Sequence, residues 1–206
     1  MRLALDTFNY LIDSCNFTRA MWEYLENNKI PLDNKDLLRW QWVQAISSLD
    51  KFIHDIVRIG MIEIFCGMRN PTPKYKDFRV NLETAILMMT SSNADQIKII
   101  EQNIVLQNGY KSFQRPKNIS DALAYIWNEN NKWKKITDKM SGMLHENDVK
   151  TKLNNIVIRR DQIVHEGDCP NSSVVPIVRQ TVNITDVEEI INFIKEVAEA
   201  IYNCVI

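Results

Sequence analysis

The stretch from Asn34 to Phe65, NKDLLRWQWVQAISSLDKFIHDIVRIGMIEIF, predicts one long helix. It contains no proline and many residues that favour helices. Apolar side chains occupy most sides of this helix, as in a helix that other helices surround. With five Gly and six Pro, the chain has few of the residues that tight turns in β-sandwiches and barrels need. The sequence therefore predicts an all-α protein organised around a central helix.

Hydrophobic periodicity predicts further helices on both sides of this one. We expect helices at about 5–27, 34–67, 81–107, 120–140, 148–166 and 186–204. Ser120 is the expected N-cap of the fourth helix, and Thr185 with Glu188 forms the capping box expected at the start of the last. Residues 167–183 contain two prolines and several β-branched residues, which predicts a long irregular loop or an extended arm. At 206 residues, we expect a single-domain helical bundle spanning 1–206.

The overall charge and the cysteines exclude several classes of function. A net charge of −1 and a pI near 6.3 do not suggest bulk coating of nucleic acid, although they allow a local basic patch. The four cysteines are scattered, which favours free thiols over a zinc site, and we expect no metal or other cofactor. Since we find no signal peptide and no apolar run of about 18 residues, we expect a cytoplasmic protein without a membrane segment.

Two polar side chains interrupt an apolar stripe of the long central helix. Asp50 and His54 are four residues apart, so they lie on one face, between Ile46 and Val57. One interpretation is a satisfied polar pair in the core, in which Asp50 bonds to His54 or caps another helix. The other is a functional site, because titratable groups in apolar surroundings also occur there.

Arg160 raises the same question in the helix predicted at 148–166. It belongs to the stripe that includes Val149 and Leu153, where a guanidinium must reach solvent, meet a carboxylate or line a site. Asp50 is the carboxylate that we expect it to meet.

The stretch RRDQIVHEGD, residues 159–168, adds a histidine near this arginine. Arg160 and His165 diverge by about 140° on a straight helix, but Gly167 predicts that the helix ends near His165, so that both side chains can turn toward one point. Asp161 lies four residues before His165 and is expected to orient either the imidazole or the arginine. Two flanking residues are interpreted as surface charges, Arg159 and Glu166.

An arginine close to a histidine suits the cleavage of a phosphodiester. Histidine exchanges a proton near neutral pH, and arginine binds phosphate oxygens with a permanent charge. Together they supply a base for the attacking hydroxyl, or an acid for the leaving oxygen, and a cation for the phosphorane. The sequence shows no acidic cluster suited to Mg²⁺, which favours a metal-free reaction. RNA is the natural substrate, because its own 2′-OH can be the nucleophile.

Basic residues outnumber acidic ones between 109 and 139. Aromatic residues are interleaved with them, namely Tyr110, Phe113, Trp127 and Trp133. Such a patch can bind a phosphate backbone and stack bases. The alternative is a solvated helix face whose aromatic rings belong to the core. The candidate RNA-contacting residues are Lys111, Arg115, Lys117, Lys132, Lys134 and Lys135.

Together these motifs resemble one protein family. The arginine and histidine of RDQIVH, residues 160–165, are similar to the R-x-x-x-x-H motif of the HEPN superfamily. Within it, SSLDKFIHDIVRIGMIEIF from Ser47 to Phe65, the following Pro71-Thr72-Pro73 and RRDQIVHEGD resemble the branch called RiboL-PSP-HEPN. The resemblance covers the chain from the second predicted helix to the last.

The resemblance implies a helical bundle and a metal-independent endoribonuclease. It implies a homodimer in which two such motifs face each other across one cleft. Arg160 and His165 would be catalytic, with Asp161 as a supporting residue, and Asp50 and His54 would support the site from behind. It also implies a toxin–antitoxin or anti-phage setting, with an antitoxin or another defence-system protein as a partner besides RNA.

Two other functions stay open. Superfamily relatives that keep the fold and lose catalysis imply a non-catalytic module that binds RNA, a nucleotide or a partner protein. A plain structural bundle is the third hypothesis. An Arg160–His165 pair beside a cleft or dimer interface favours the enzyme, whereas a pair directed into a packed core favours the other two.

Overall fold

The computed structural model describes residues 1–142, 144–169 and 178–206. Within these ranges the chain forms nine α-helices and no β-strand, which confirms the all-α class. None of the helices in this described part combines the length and the apolar composition needed to cross a membrane. The helices are α1 (Arg2–Asn27), α2 (Lys35–Phe65), α3 (Pro73–Lys76), α4 (Leu82–Thr90), α5 (Asn93–Asn108), α6 (Pro116–Leu123), α7 (Lys132–Thr137), α8 (Glu146–His165) and α9 (Ile184–Val205).

The long helix α2 is central, as the sequence predicts. It contacts α1, α5, α6, α8 and α9, and the side chains of Ile46, Leu49 and Ile53 are completely buried. α1 packs along it, with the ring centroids of Phe8 and Phe52 5.5 Å apart. Burial of such apolar faces is the main stabilising contribution in a helical bundle, and here it places α8 against one side of α2.

The helix predicted at 81–107 is divided in the structure, so its prediction as one element is wrong. α4 ends at Thr90, and α5 begins after Ser92. The Ser92 hydroxyl accepts a hydrogen bond from the backbone N–H of Asp95. A serine in this position satisfies a free N–H of the first turn and starts a new helix, even though the apolar periodicity continues across it.

The helix predicted at 120–140 is also wrong as one element, because the chain forms α6 and then α7. Ser120 is not an N-cap, since it lies within α6, which begins at Pro116. Proline suits the first turn of a helix because its φ is already close to the helical value and the first N–H groups have no partner there.

The last helix begins at Ile184, and its N-cap is Asn183. The side-chain oxygen of Asn183 accepts a hydrogen bond from the backbone N–H of Asp186 at 2.8 Å. The capping box predicted from Thr185 and Glu188 is therefore wrong. Asn183 has an extended backbone, which places its side chain over the free N–H groups of the first turn, whereas Thr185 already lies within that turn.

The described ends of the predicted loop, 167–169 and 178–183, contain neither helix nor strand. They lie against each other. The Nε of Arg179 donates to the carbonyl of Gly167 at 3.1 Å, and the N–H of Gln180 donates to the carbonyl of Asp168 at 2.9 Å. The irregular backbone predicted for these ends is confirmed, and residues 170–177 lie outside the described residues.

Candidate functional site

The predicted catalytic residues lie in the last turns of α8. This helix ends at His165, Glu166 is its C-cap, and Gly167 follows with a φ of +61°. A positive φ after the last turn is the usual C-terminal signal of a helix and is accessible to glycine without strain, so the predicted helix end is confirmed. The His165 side chain is exposed at this end, and Glu166 is exposed as predicted.

Arg160 and Arg115 share one carboxylate, that of Asp161. Arg160 Nη1 donates to Asp161 Oδ1 at 3.2 Å, and Arg115 Nη2 donates to Asp161 Oδ2 at 3.0 Å. Of the two roles expected for Asp161, the structure shows orientation of arginine. The Arg160 side chain is only 20 % exposed, whereas Arg115 is 44 % exposed. The arrangement holds two planar guanidinium groups side by side, which suits the binding of a phosphate.

Asp50 does not meet Arg160, so that predicted pair is wrong. Its Oδ1 instead accepts a hydrogen bond from the backbone N–H of Phe113 at 2.5 Å. The pair does not form because each of the two groups has another partner nearby. Arg160 finds a carboxylate on the next residue of its own helix, while the Phe113 amide precedes α6 and has Asp50 as its partner.

His54 binds the same segment as Asp50. Its Nε2 lies 3.2 Å from the carbonyl oxygen of Lys111, and its ring centroid lies 4.4 Å from that of Phe113. Because a carbonyl only accepts, Nε2 carries the proton in this contact. The two polar residues of α2 therefore anchor residues 111–113, and this segment leads directly to Arg115.

A buried ion triad lies beneath the end of α8, and the sequence patterns did not predict it. Asp168 is completely buried and binds Arg39 of α2, with Arg39 Nε donating to its Oδ2 at 2.6 Å. Arg159 binds the same carboxylate, through Nη1 at 2.7 Å from Oδ1 and Nη2 at 3.0 Å from Oδ2. The buried carboxylate thus lies between two guanidinium groups, and Arg39 also pairs with the exposed Asp36 at 3.2 Å.

Arg159 is not a surface charge, so that interpretation is wrong. Its side chain is 11 % exposed, and burial lowers the pKa of its guanidinium while the charge of Asp168 opposes the shift. The physical reason is the turn at Gly167, which reverses the chain and directs Asp168 back under the helix. The available signal in the sequence was an acidic residue immediately after a helix-ending glycine, eight residues after two adjacent arginines.

The triad also binds the chain that precedes α9. Arg39 Nη2 donates to the carbonyl of Gln180 at 2.8 Å, and Arg159 Nη2 donates to that of Thr181 at 3.2 Å. The backbone N–H of Asp168 in turn donates to the carbonyl of Gln162 in α8. The C-terminal end of α8, where His165 lies, is therefore held both by α2 and by residues 180–181.

The basic patch predicted between 109 and 139 is divided in the structure. Phe113 and Trp133 are buried, so these two rings belong to the core and do not stack bases. Tyr110 is 80 % exposed, and Trp127 is partly buried. Two of the candidate cations pair with a carboxylate, Arg115 with Asp161 and Lys134 with Asp138. Two others donate to neutral oxygens, Lys111 to Asn108 Oδ1 and Lys132 to the Glu129 carbonyl. The remaining two, Lys117 and Lys135, are exposed.

Comparison with known proteins adds a family to this geometry. The family model described as RiboL-PSP-HEPN matches residues 22–206, from the last turns of α1 to the C-terminal residue, and so includes every residue of the site above. Neither a curated protein nor a solved structure matches the chain. The match covers well over half of the sequence and agrees with its all-α fold, and the chain accordingly belongs to the RiboL-PSP-HEPN family.

Proposed function

We propose that this protein is a metal-independent endoribonuclease that cleaves single-stranded RNA. The observation that carries the proposal is the carboxylate of Asp161, which holds Arg160 and Arg115 side by side one helical turn from the exposed His165. Two cations and a group able to exchange a proton at neutral pH are what transfer of a phosphodiester to an internal hydroxyl needs.

The reaction uses the 2′-OH of the RNA as the nucleophile. One imidazole accepts the proton of the 2′-OH as its oxygen attacks the adjacent phosphorus, and an imidazolium donates a proton to the departing 5′ oxygen. Arg160 stabilises the negative charge of the phosphorane, and Arg115 is placed to bind the same phosphate. The products are a 2′,3′-cyclic phosphate and a 5′-hydroxyl.

A second copy of the chain completes the site in this proposal. His165 is open to solvent in a single chain, and HEPN domains often act as RNA-binding or dimeric modules. In a homodimer with two motifs across one cleft, one His165 is the base and the other is the acid. We place the enzyme in the cytoplasm, in a toxin–antitoxin or anti-phage system, with an antitoxin or a defence-system protein as its regulating partner.

Asp50 and His54 support the site indirectly. They bind the backbone of residues 111–113, and thereby set the position of Arg115, which follows two residues later. They are positioning residues, because neither side chain needs to touch RNA.

The test is cleavage of labelled single-stranded RNAs by the purified protein, with and without EDTA, beside His165→Ala and Arg160→Ala. We expect cleavage that survives EDTA, leaves cyclic-phosphate ends and is lost by about 100-fold or more in both variants. Glu166→Gln is the matched control, since it changes an exposed neighbour of His165 and should retain activity. A wild-type protein that binds several RNAs but leaves all of them intact would instead support the non-catalytic module.

A further inference from the structure

The segment that carries Arg115 also borders a pocket, which has a volume of about 370 Å³. Its lining includes Lys74, Lys111, Ser112, Asn118, Asp121 and Tyr125. Residues 111–115 can span at most about 14 Å when extended. The pocket is therefore within a short distance of the arginines that Asp161 holds.

Two lysines of this pocket lie over aromatic rings. Lys74 Nζ is 4.8 Å from the centroid of the Tyr125 ring, and Lys111 Nζ is 6.0 Å from that of Tyr110. Burial, and then the charge of Tyr110, raise the pKa of Tyr125. Tyr110 is exposed, and Tyr125 is partly buried. Accessible ring faces with a cation beside them can hold unpaired bases and their phosphates.

The position of Lys74 is built into the fold. The short helix α3 carries it, and the side chain of Thr72 caps this helix by accepting from the N–H of Tyr75 at 3.0 Å. Thr72 is buried, and its hydroxyl lies 2.8 Å from the carbonyl of Ala124 and 3.0 Å from that of Tyr125. The lysine and the tyrosine ring are thus joined through a buried hydrogen-bonded residue.

The two ammonium groups carry charge that no carboxylate of the described residues cancels by direct contact. Lys74 Nζ donates to the backbone carbonyl of Asp121 at 2.7 Å, and Lys111 Nζ donates to Asn108 Oδ1 at 3.0 Å. Burial, and then the positive charge of Lys74, lower the pKa of Lys111. The exposed carboxylate of Asp121 lines the rim, so two cations and one anion leave the pocket positive.

A larger groove of about 940 Å³ lies between α2 and α5, but its cations are not free of carboxylate contacts as Lys74 and Lys111 are in the described part of the chain. Each of its lysine and arginine side chains contacts a carboxylate: Lys51 pairs with Asp55 at 2.6 Å, and Arg58 pairs with both Asp55 and Glu101. Lys98 pairs with Asp95 at 3.2 Å. Paired charges on a solvated surface attract an anion only weakly. The smaller pocket is therefore the better place for a phosphate.

We propose that the pocket lined by Lys74, Lys111 and Tyr125, together with the Tyr110 ring beside Lys111, is a nucleotide-binding subsite for single-stranded RNA. Lys74 and Lys111 bind backbone phosphates, and the tyrosine rings stack on unpaired bases of nucleotides that flank the cleaved bond. The inference rests on the proposed ribonuclease function for the direction of the strand, which runs from this pocket along residues 111–115 to Arg160. Single-stranded RNA is favoured because paired bases cannot reach a ring.

The test is the affinity of a labelled single-stranded RNA, measured by fluorescence anisotropy with the His165→Ala protein so that no cleavage occurs. We expect Lys74→Ala to weaken binding about 10-fold and to reduce the slope of log affinity against log salt by about one. Lys76→Ala is the matched control, since it removes an exposed lysine from the same short helix and should bind like the parent protein. Asp121→Asn should tighten binding.

The rings are tested by Tyr125→Leu, which should weaken binding between about 5- and 100-fold, and by Tyr125→Phe, which should not. Thermal melting of each variant checks its folding. Equal affinities for Lys74→Ala and Lys76→Ala, or equal losses with double-stranded RNA, would overturn the subsite. Cleavage by the wild type is scored separately. If RNA binding depends on Lys74 but no cleavage occurs, the subsite is supported and the ribonuclease proposal is contradicted. If cleavage occurs but RNA binding does not depend on Lys74, the ribonuclease proposal is supported and the subsite is contradicted.

Discussion

The carboxylate of Asp161 binds two guanidinium groups at once. It binds Arg160 from its own helix and Arg115 from the segment before α6. Its charge keeps the two arginines together without substrate, and a phosphate that enters can take over either hydrogen bond. Asp161 is thus the residue at which the helix motif and the basic segment meet.

Replacement Asp161→Asn should lower the rate of RNA cleavage by about 10- to 100-fold, because the amide holds the arginines less firmly and small displacements of reacting groups are costly. Single-turnover cleavage at saturating RNA measures the effect. Glu199→Gln removes an exposed carboxylate of the same charge from α9 and is the control for a general change in attraction to RNA. A rate equal to the wild type would show that Asp161 does not orient the reacting groups.

At the level of single residues, the sequence allowed the prediction of candidates but not of partners. Arg160 and Asp161 are neighbours in the structure, as any two adjacent residues are, yet Asp50 binds a backbone amide 63 residues away. Periodicity shows which face a residue occupies. It carries no information on which irregular segment crosses that face, and the choice of partner depends on that segment.

At the level of the element, α8 is an ordinary amphipathic helix with an unusual end. Val149, Leu153 and Ile156 are buried as its periodicity predicts. Its last turn is held differently, through a buried carboxylate one residue beyond Gly167. The helix was predictable because apolar spacing is local, whereas its ionic anchor joins residues 129 positions apart in the sequence.

The variant Asp168→Asn should lower the free energy of unfolding by about 3–5 kcal/mol, because Arg159 then loses its counter-charge in a largely buried place and Arg39 keeps only the exposed carboxylate of Asp36. Urea denaturation followed by circular dichroism measures this change. Glu166→Gln, two residues away and exposed, should stay within about 0.5 kcal/mol of the wild type. Equal midpoints for the two variants would mean that the triad adds little to stability.

At the level of the whole molecule, the family and the all-α fold were predictable, and the assembly is a proposal. Ile158 lies on the same face of α8 as His165, two turns earlier, and is 44 % exposed. An exposed apolar side chain in line with the proposed catalytic histidine is suited to the interface of a homodimer.

Sedimentation velocity should therefore give a mass about twice the 24.1 kDa of one chain. Ile158→Glu should shift the protein to the monomer and reduce RNA cleavage together with it, since a carboxylate is then desolvated at the interface. Leu106→Glu, an apolar side chain that is 73 % exposed on α5, is the control and should leave the dimer intact. A wild-type protein that sediments as a monomer at every concentration would contradict the composite site.

The bonds from the ion triad to residues 180 and 181 have a consequence for the order of synthesis. A nascent chain that has just passed His165 already contains Arg160 and Asp161, but it lacks the two carbonyl groups that Arg39 and Arg159 bind in the folded protein. The anchored end of α8 therefore forms only after residue 181 has left the ribosome. For the proposed ribonuclease, we therefore expect an unfinished chain to be inactive until these residues have been made.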